Sequence, residues 1–310
     1  MTATCIISFD CEGKWGMADK ITPKLESVLK SDNLKLAYTD ILSVLDESDM
    51  KATFAFVGAF TLSKDEFIDN WLQRILLSQQ HCEWLNKLIK DIELGDVHGW
   101  FLPDLLDIVK KSRVEHEIAS HGFTHLPLTT ANRESVQIEL DGILFWKNKY
   151  SLIADTFVFP RNMVSANLNL RDVGIFAYRD APSWGGIGGS KGRIFNLLRE
   201  FYPFVKSQTL ISSNSRDIVK IPGDFFLNWR SGLRKLVPKR LTLYRLKSAL
   251  DDSINSNGIV HLWLHPHNLT TGFQQKELFE DCILLIKKYV DSGSVVVKTQ
   301  SEFYNSLPSK

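Results

Sequence analysis

Cysteine is scarce, with only 4 in 310 residues. Cys5, Cys11, Cys82 and Cys282 show no C-x-x-C spacing and are too sparse for a disulfide scaffold. They read as free thiols in a reducing compartment. No apolar run approaches the roughly 18 residues of a membrane-spanning helix, and MTATCIISFD lacks the basic start and long apolar stretch of an export signal. A cytoplasmic location is therefore expected. Charge of either sign is not in excess either: 37 Lys+Arg stand against 36 Asp+Glu, a net +1, so nothing global favours nucleic acid as partner. The glycine-rich stretch SWGGIGGSKG contains neither G-x-G-x-x-G nor G-x-x-x-x-G-K-[ST], which leaves a loop over a site rather than a nucleotide cradle.

What is present is an ordinary globular composition, 44% hydrophobic and 24% charged, with no Ser/Pro/Gly-rich linker. One domain spanning 1–310 is expected. Apolar runs predict strands at Cys5–Phe9, Lys51–Phe60, Glu117–Ser120, Thr156–Phe159, Gly174–Tyr178, Asp217–Ile221, Ile259–Leu264 and Val295–Val297. Helical spacing predicts helices over Leu34–Leu45, Asn132–Lys149, Lys191–Arg199, Leu241–Ile254 and Gln275–Val290, with a helical insert around 62–112. Strands alternating with helices seven or eight times fit a mainly parallel (β/α) barrel better than an open sheet.

In such a barrel the functional groups sit at the C-terminal ends of the strands, and the polar clusters fall there. Asp10 and Glu12 follow the first strand, His121 and His125 the third, Arg161 and Asn162 the fourth, Asp180 the fifth, and His265, His267 and Asn268 a late one. Two carboxylates at i and i+2 share a face of extended chain and repel unless a cation or proton lies between them; taken alone, D-x-E also describes two solvated loop acids. The i, i+4 histidines suit two adjacent positions on zinc or a similar ion, although either could be structural. Arg161 could grip a carboxylate or point to solvent. Trp15 and Trp184, each beside glycine, could offer platforms to a sugar ring or pack back on the domain. A basic stretch over 230–247, interspersed with leucines, could touch anionic lipid or a phosphate-bearing substrate, or form a solvated helical face.

In this order, SFDCEG, SHGFTHLPL, FVFPRN, RDAPSW and HLWLHPHN resemble the motifs of the polysaccharide deacetylase family, carbohydrate esterase family 4 with the nodulation-type chitooligosaccharide deacetylases. The resemblance runs from Ser8 to Asn268, and its ordered set of five motifs is far more specific than any one of them. It implies an irregular barrel of seven or eight strands and metal-dependent removal of an N-acyl, usually N-acetyl, group from an amino sugar. By the same resemblance Asp10 matches the general base, Glu12 the acidic metal ligand, and His121 and His125 the two histidine ligands. Arg161 matches the arginine that orients the base, Asp180 and Trp184 the acid and aromatic of the fourth motif, and His265 the general acid. Asp180 near His265 would favour the protonated imidazole. Trp15, His267 and Asn268 are further candidates for substrate contact.

The family's adjacent acids, F-D-D-G, are here split by Cys11, which leaves open which acid is base and which is ligand. Asp10 is preferred as base because Glu12 has the longer reach. The arginine motif is altered as well, with Pro160 before Arg161. Zinc is the default ion for Glu/His/His, and cobalt, nickel or manganese would fit the same ligands. The expected protein is a cytoplasmic metal-dependent N-deacylase acting on an amino sugar of a polysaccharide or its nucleotide- or lipid-linked precursor. An O-deacetylase, a non-sugar amide hydrolase and a catalytically inactive carbohydrate-binding barrel are the alternatives.

Overall fold

The computed structural model describes residues 2–165, 168–182, 189–208 and 218–307, with 189–194 as backbone only. Nine strands form one sheet: β1 Ala3–Cys11, β2 Thr53–Phe56, β3 Glu117–Ser120, β4 Thr156–Val158, β5 Ala177–Arg179, β6 Val219–Ile221, β7 Phe225–Phe226, β8 Ile259–Leu264 and β9 Val295–Lys298. Every pairing between these strands is parallel. Their order is β6-β5-β4-β3-β2-β1-β8-β7, while β9 flanks the N-terminal half of β1. The result is a curled, irregular (β/α) barrel whose path has eight strands, as expected from the alternation.

Period-two alternation decides what each face of β1 meets. Cys5, Ile7, Phe9 and Cys11 are buried in the large cluster shared with the surrounding helices. Ile6 instead packs inside the barrel with Ala177, Ile221 and Ile259. Ser8 and Asp10 continue that inner row upward, where Ser8 Oγ meets His261 Nε2 at 2.7 Å. Burial on both faces is why β1 and β8 read as nearly unbroken apolar runs.

The lower end of the barrel is closed by the Gln300–Asn305 helix, which starts in a Thr299/Glu302 capping box. Its Gln300 N–H donates to Thr53 Oγ1 and its Ser301 N–H to half-buried Glu117. Burial raises the Glu117 carboxyl, partly offset by the Thr156 and Thr53 hydroxyls and the Ser301 amide.

Two departures from the expected elements bear on function. The second strand stops at Phe56 rather than Phe60, because the Gly58 and Ala59 N–H groups donate to the Gly122 and Phe123 carbonyls and the chain turns into a short 3-10 helix, Gly58–Thr61. The two-residue β7 was not expected, being too short to show a period. Helices occupy most of Lys64–Lys110 with no strand among them.

Candidate active site

Four strand ends converge at the upper mouth. β1 delivers Asp10 and, one residue past its end, Glu12; β3 leads into His121; β5 ends on Arg179; β8 leads into His265. Asp10 and Glu12 are 2% and 5% exposed, so neither is a solvated loop acid. Glu12 faces three imidazoles, with His125 Nε2 at 3.0 Å, His265 Nε2 at 3.4 Å and His121 Nε2 at 3.5 Å. Burial raises the Glu12 carboxyl, but His265, His125 and His121 more than offset it and hold it well below the usual range.

The two histidines of H-x-x-x-H do not lie on a helical turn, as their spacing suggested. Gly122 has φ +82° and His125 φ +62°, so the segment is an irregular loop that turns both rings inward. A buried carboxylate organises it. Glu139, on the Arg133–Lys149 helix, accepts the Phe123 and Thr124 N–H groups at 2.8 and 3.0 Å and the Thr124 hydroxyl. The helical segment of the insert supports the same loop: His81 Nε2 lies 3.3 Å from Glu139, and Trp84 Nε1 donates to the Thr124 carbonyl.

His121 Nδ1 lies 2.8 Å from the Val158 carbonyl. A carbonyl can only accept, so this nitrogen carries a proton, and Nε2, the nitrogen that faces Glu12 and His125, is the one placed to act as a ligand. His121 Nε2 and His125 Nε2 are 3.2 Å apart. One ligand atom each from Glu12, His121 and His125 lie within 4.8 Å of one another. Two imidazole nitrogens and a carboxylate, all buried and aimed at one point, fit a divalent cation with an open position for water.

Asp10 stands beside this trio with a different partner. Arg179, wholly buried, donates to its two oxygens at 2.6 and 2.7 Å. The guanidinium also reaches Asn162 Oδ1 at 2.8 Å and lies 3.9 Å from the Trp263 ring centroid. Burial raises the Asp10 carboxyl, but Arg179, His121 and His265 together hold it below the ordinary value. His265, with 21% of its side chain exposed, lies between the carboxylates and the opening, 3.9 Å from Asp10.

Several expected residues are placed otherwise. Arg161 does not touch Asp10; it pairs with Asp19 and stacks on Trp84 at 4.6 Å, because the chain there is left-handed at both Arg161 and Asn162, with φ of 58° and 54°. Asp180 makes no ion pair with His265 among the described residues and accepts the Ala181 N–H instead. Trp15 is no platform: it is 0% exposed, packs edge-on to Phe67, Trp100 and Phe101, and donates to the Trp100 carbonyl. Trp184 and most of the SWGGIGGSKG stretch lie outside the described residues. His267 and Asn268 are 5% and 1% exposed, with His267 Nδ1 and Asn268 Nδ2 lacking partners. Burial pushes His267 down to about 4.

Arg179 and Glu139 are the residues the motif reading missed. For Arg179 the signal was available, since it immediately precedes Asp180 and ends an apolar strand whose alternation points it inward. Glu139 gives no local signal, because it lies on a helix whose other inward residues are mostly apolar or small.

A parallel barrel with acid, imidazole and guanidinium groups at its upper mouth has its chemically competent side chains where barrel enzymes carry their active sites. The model of the polysaccharide deacetylase family matches residues 16–143, a stretch that includes SHGFTHLPL but not the other four motifs, and bears out the resemblance to that family. Two solved structures share the fold, both of proteins provisionally described as polysaccharide deacetylases. The one from Mycobacterium smegmatis has 14% identity and a TM-score of 0.58, covering 98% of this chain and 90% of the other. The one from Pseudomonas aeruginosa PAO1 has 11% identity and a TM-score of 0.53, covering 98% and 89%. No curated protein matches the chain. The family match supports a carbohydrate deacetylase, a hydrolase.

Proposed function

We propose that the protein is a metal-dependent N-deacylase of an amino sugar, with Glu12, His121 and His125 as metal ligands, Asp10 as general base and His265 as general acid. The observation that carries this reading is the division of labour between the two acids. Glu12 lies among the imidazoles, whereas Asp10 is gripped by Arg179. A bound divalent cation would polarise the acyl carbonyl and lower the pKa of water at the open position. Asp10 then takes the proton from the attacking water as the new C–O bond forms, and Arg179 keeps its carboxylate ionised and oriented. His265, on the open side, gives a proton to the amine nitrogen as the C–N bond breaks.

Zinc is the ion proposed first, and the free thiols support a reducing, cytoplasmic setting. Among the described residues no helix is long and apolar enough to cross a membrane. The test is acetate or formate release from N-acyl amino sugars, with O-acetyl sugars and simple amides as comparison substrates. Asp10→Asn and His265→Ala are expected to lower kcat by about 10² to 10⁴ while zinc still binds. His121→Ala/His125→Ala should abolish zinc binding in a calorimetric titration at matched folding. Full turnover in all these variants would overturn the mechanism. Zinc binding without turnover of any substrate would favour the inactive carbohydrate-binding barrel.

A further inference from the structure

Among the described residues, six aromatic side chains are exposed. They are Phe195, Phe201, Tyr202, Phe204, Tyr244 and Phe273, each between 44% and 61% exposed. Leu198, on the helix that carries Phe195, and Leu233 and Leu236, on the Gly232–Leu236 turn, are 63% to 70% exposed. Contacts bring the elements that carry them together. Phe204 meets Tyr244 at 6.3 Å, the Arg234–Glu200 ion pair at 2.5 Å joins the Gly189–Glu200 helix to the Gly232–Leu236 turn, and Lys235 lies 5.9 Å from the Phe273 ring. Exposed Lys206, Lys235 and Arg240 are interspersed with the apolar groups. An apolar patch of this extent marks an interaction surface, and rings mixed with Lys and Arg match the lipid–water boundary of an anionic membrane.

Behind the face lies a cavity of about 200 Å³ bordered by Arg199, Arg234 and Arg245 against Glu200 and Asp224. Glu200 is already bonded to Arg234. Arg245 has a buried Nε with no partner among the described residues. Burial disfavours its charge, Glu200 offsets part of that, and Arg199 adds to it. An oxyanion would satisfy this guanidinium. The basic stretch over 230–247 thus divides: Arg230 is buried with its donors on the Phe273 and Val237 carbonyls, Arg234 and Arg245 border the cavity, and Lys235 and Arg240 face outward. The cavity also adjoins the active site. Phe226, one of its walls, stacks on Trp263 at 4.1 Å and stands edge-on to His265 at 5.6 Å.

We propose that this face docks on an anionic lipid surface and that the arginine cavity holds the phosphate of a lipid-borne amino-sugar substrate, whose acyl group then reaches the Glu12 and His265 side. The substrate assignment rests on the deacylase reading above; the docking does not. The test uses the full chain with phosphatidylcholine vesicles, with and without one part in five phosphatidylglycerol, in a flotation assay at low and high salt. Wild type is expected to float with the anionic vesicles, and Phe201→Ser/Tyr202→Ser/Phe204→Ser to bind them at least about tenfold more weakly. Absence of wild-type flotation would overturn the proposal. So would a dimer in light scattering that the triple variant dissociates, which would assign the face to a second copy.

The cavity is probed with inorganic phosphate by calorimetry, where Arg245→Gln is expected to weaken binding about tenfold. Equal phosphate binding in both proteins, or none in either, would remove the cavity from the proposal. None of these readouts needs turnover. Failure of the deacylase reading would instead appear as no acyl release from any substrate, with flotation unchanged.

Discussion

Asp10 is almost wholly buried at the end of β1, where an unpaired carboxylate would take up a proton and lose its use as a base. Arg179 prevents this with two parallel hydrogen bonds, a geometry that a lysine cannot reproduce. Arg179→Lys is therefore expected to lower kcat about hundredfold, within the range that base catalysis contributes, while zinc binding, which uses Glu12 and the histidines, survives. Arg161→Gln removes only the contacts with Asp19 and Trp84 and should change kcat far less. Steady-state kinetics beside a zinc titration decides the matter; a larger loss from Arg161→Gln would return the orienting role to that residue. At this scale the motifs named the acids and imidazoles that meet at the mouth, because their strand-end positions follow from period-two alternation. They did not reveal which arginine meets Asp10, since that depends on the left-handed turn at Arg161 and Asn162. Nor did they reveal that Trp15 is buried, since its aromatic neighbours come from residues 67 to 101.

Between elements, the decisive contact is that of the Arg133–Lys149 helix with the histidine loop. Glu139 pins two backbone amides of that loop, and one turn further on Gly142 makes room for the Phe123 ring. A Cβ at Gly142 would fall 2.2 Å from Phe123 Cδ1 and 2.8 Å from its Cβ, too close for a rotation of the ring to relieve. Alanine is the better helix former by about 1 kcal/mol, but overpacking a filled core costs about 1 to 3 kcal/mol. Gly142→Ala is thus expected to lower the urea midpoint and to weaken zinc binding by moving the loop that carries His125. A higher midpoint with unchanged zinc affinity would show that Phe123 is free to shift. The helix itself was legible, expected at Asn132–Lys149 and found at Arg133–Lys149. Its role was not, because the periodicity that reveals a buried face does not say which loop that face supports. The same limit applies to β2, whose apolar run continues past Phe56 although the loop amides draw the chain out of the sheet.

Across the whole molecule the barrel separates a polar upper mouth from a capped lower end, and the alternation of strands and helices was enough to anticipate that architecture. Two histidines, the buried His261 and the half-buried His116, link protonation to folding. His261 donates from Nδ1 to the Pro222 carbonyl, and its Nε2 accepts from Ser8 Oγ, so the folded chain holds the ring neutral. Burial, with Arg179 nearby, pushes its pKa from 6.5 to about 3. His116, which accepts the Ala52 N–H, falls to about 4, chiefly through burial. Between pH 6.5 and those values the unfolded chain binds protons that the folded chain does not. Stability contributed by the neutral rings is therefore complete above pH 6.5 and declines as the pH falls. Each such histidine adds about 1.4 kcal/mol per pH unit to the slope. Urea unfolding of wild type and His261→Gln at pH 5, 6 and 7 isolates the His261 share, because the other titrating groups are common to both proteins. Wild type should lose stability toward pH 5 more steeply than the variant by about that amount per unit below pH 6, whatever the variant's stability at pH 7. Parallel slopes would mean that His261 takes up its proton in the folded barrel, which would turn Nε2 from acceptor to donor toward Ser8 Oγ and place a second positive charge beside Arg179.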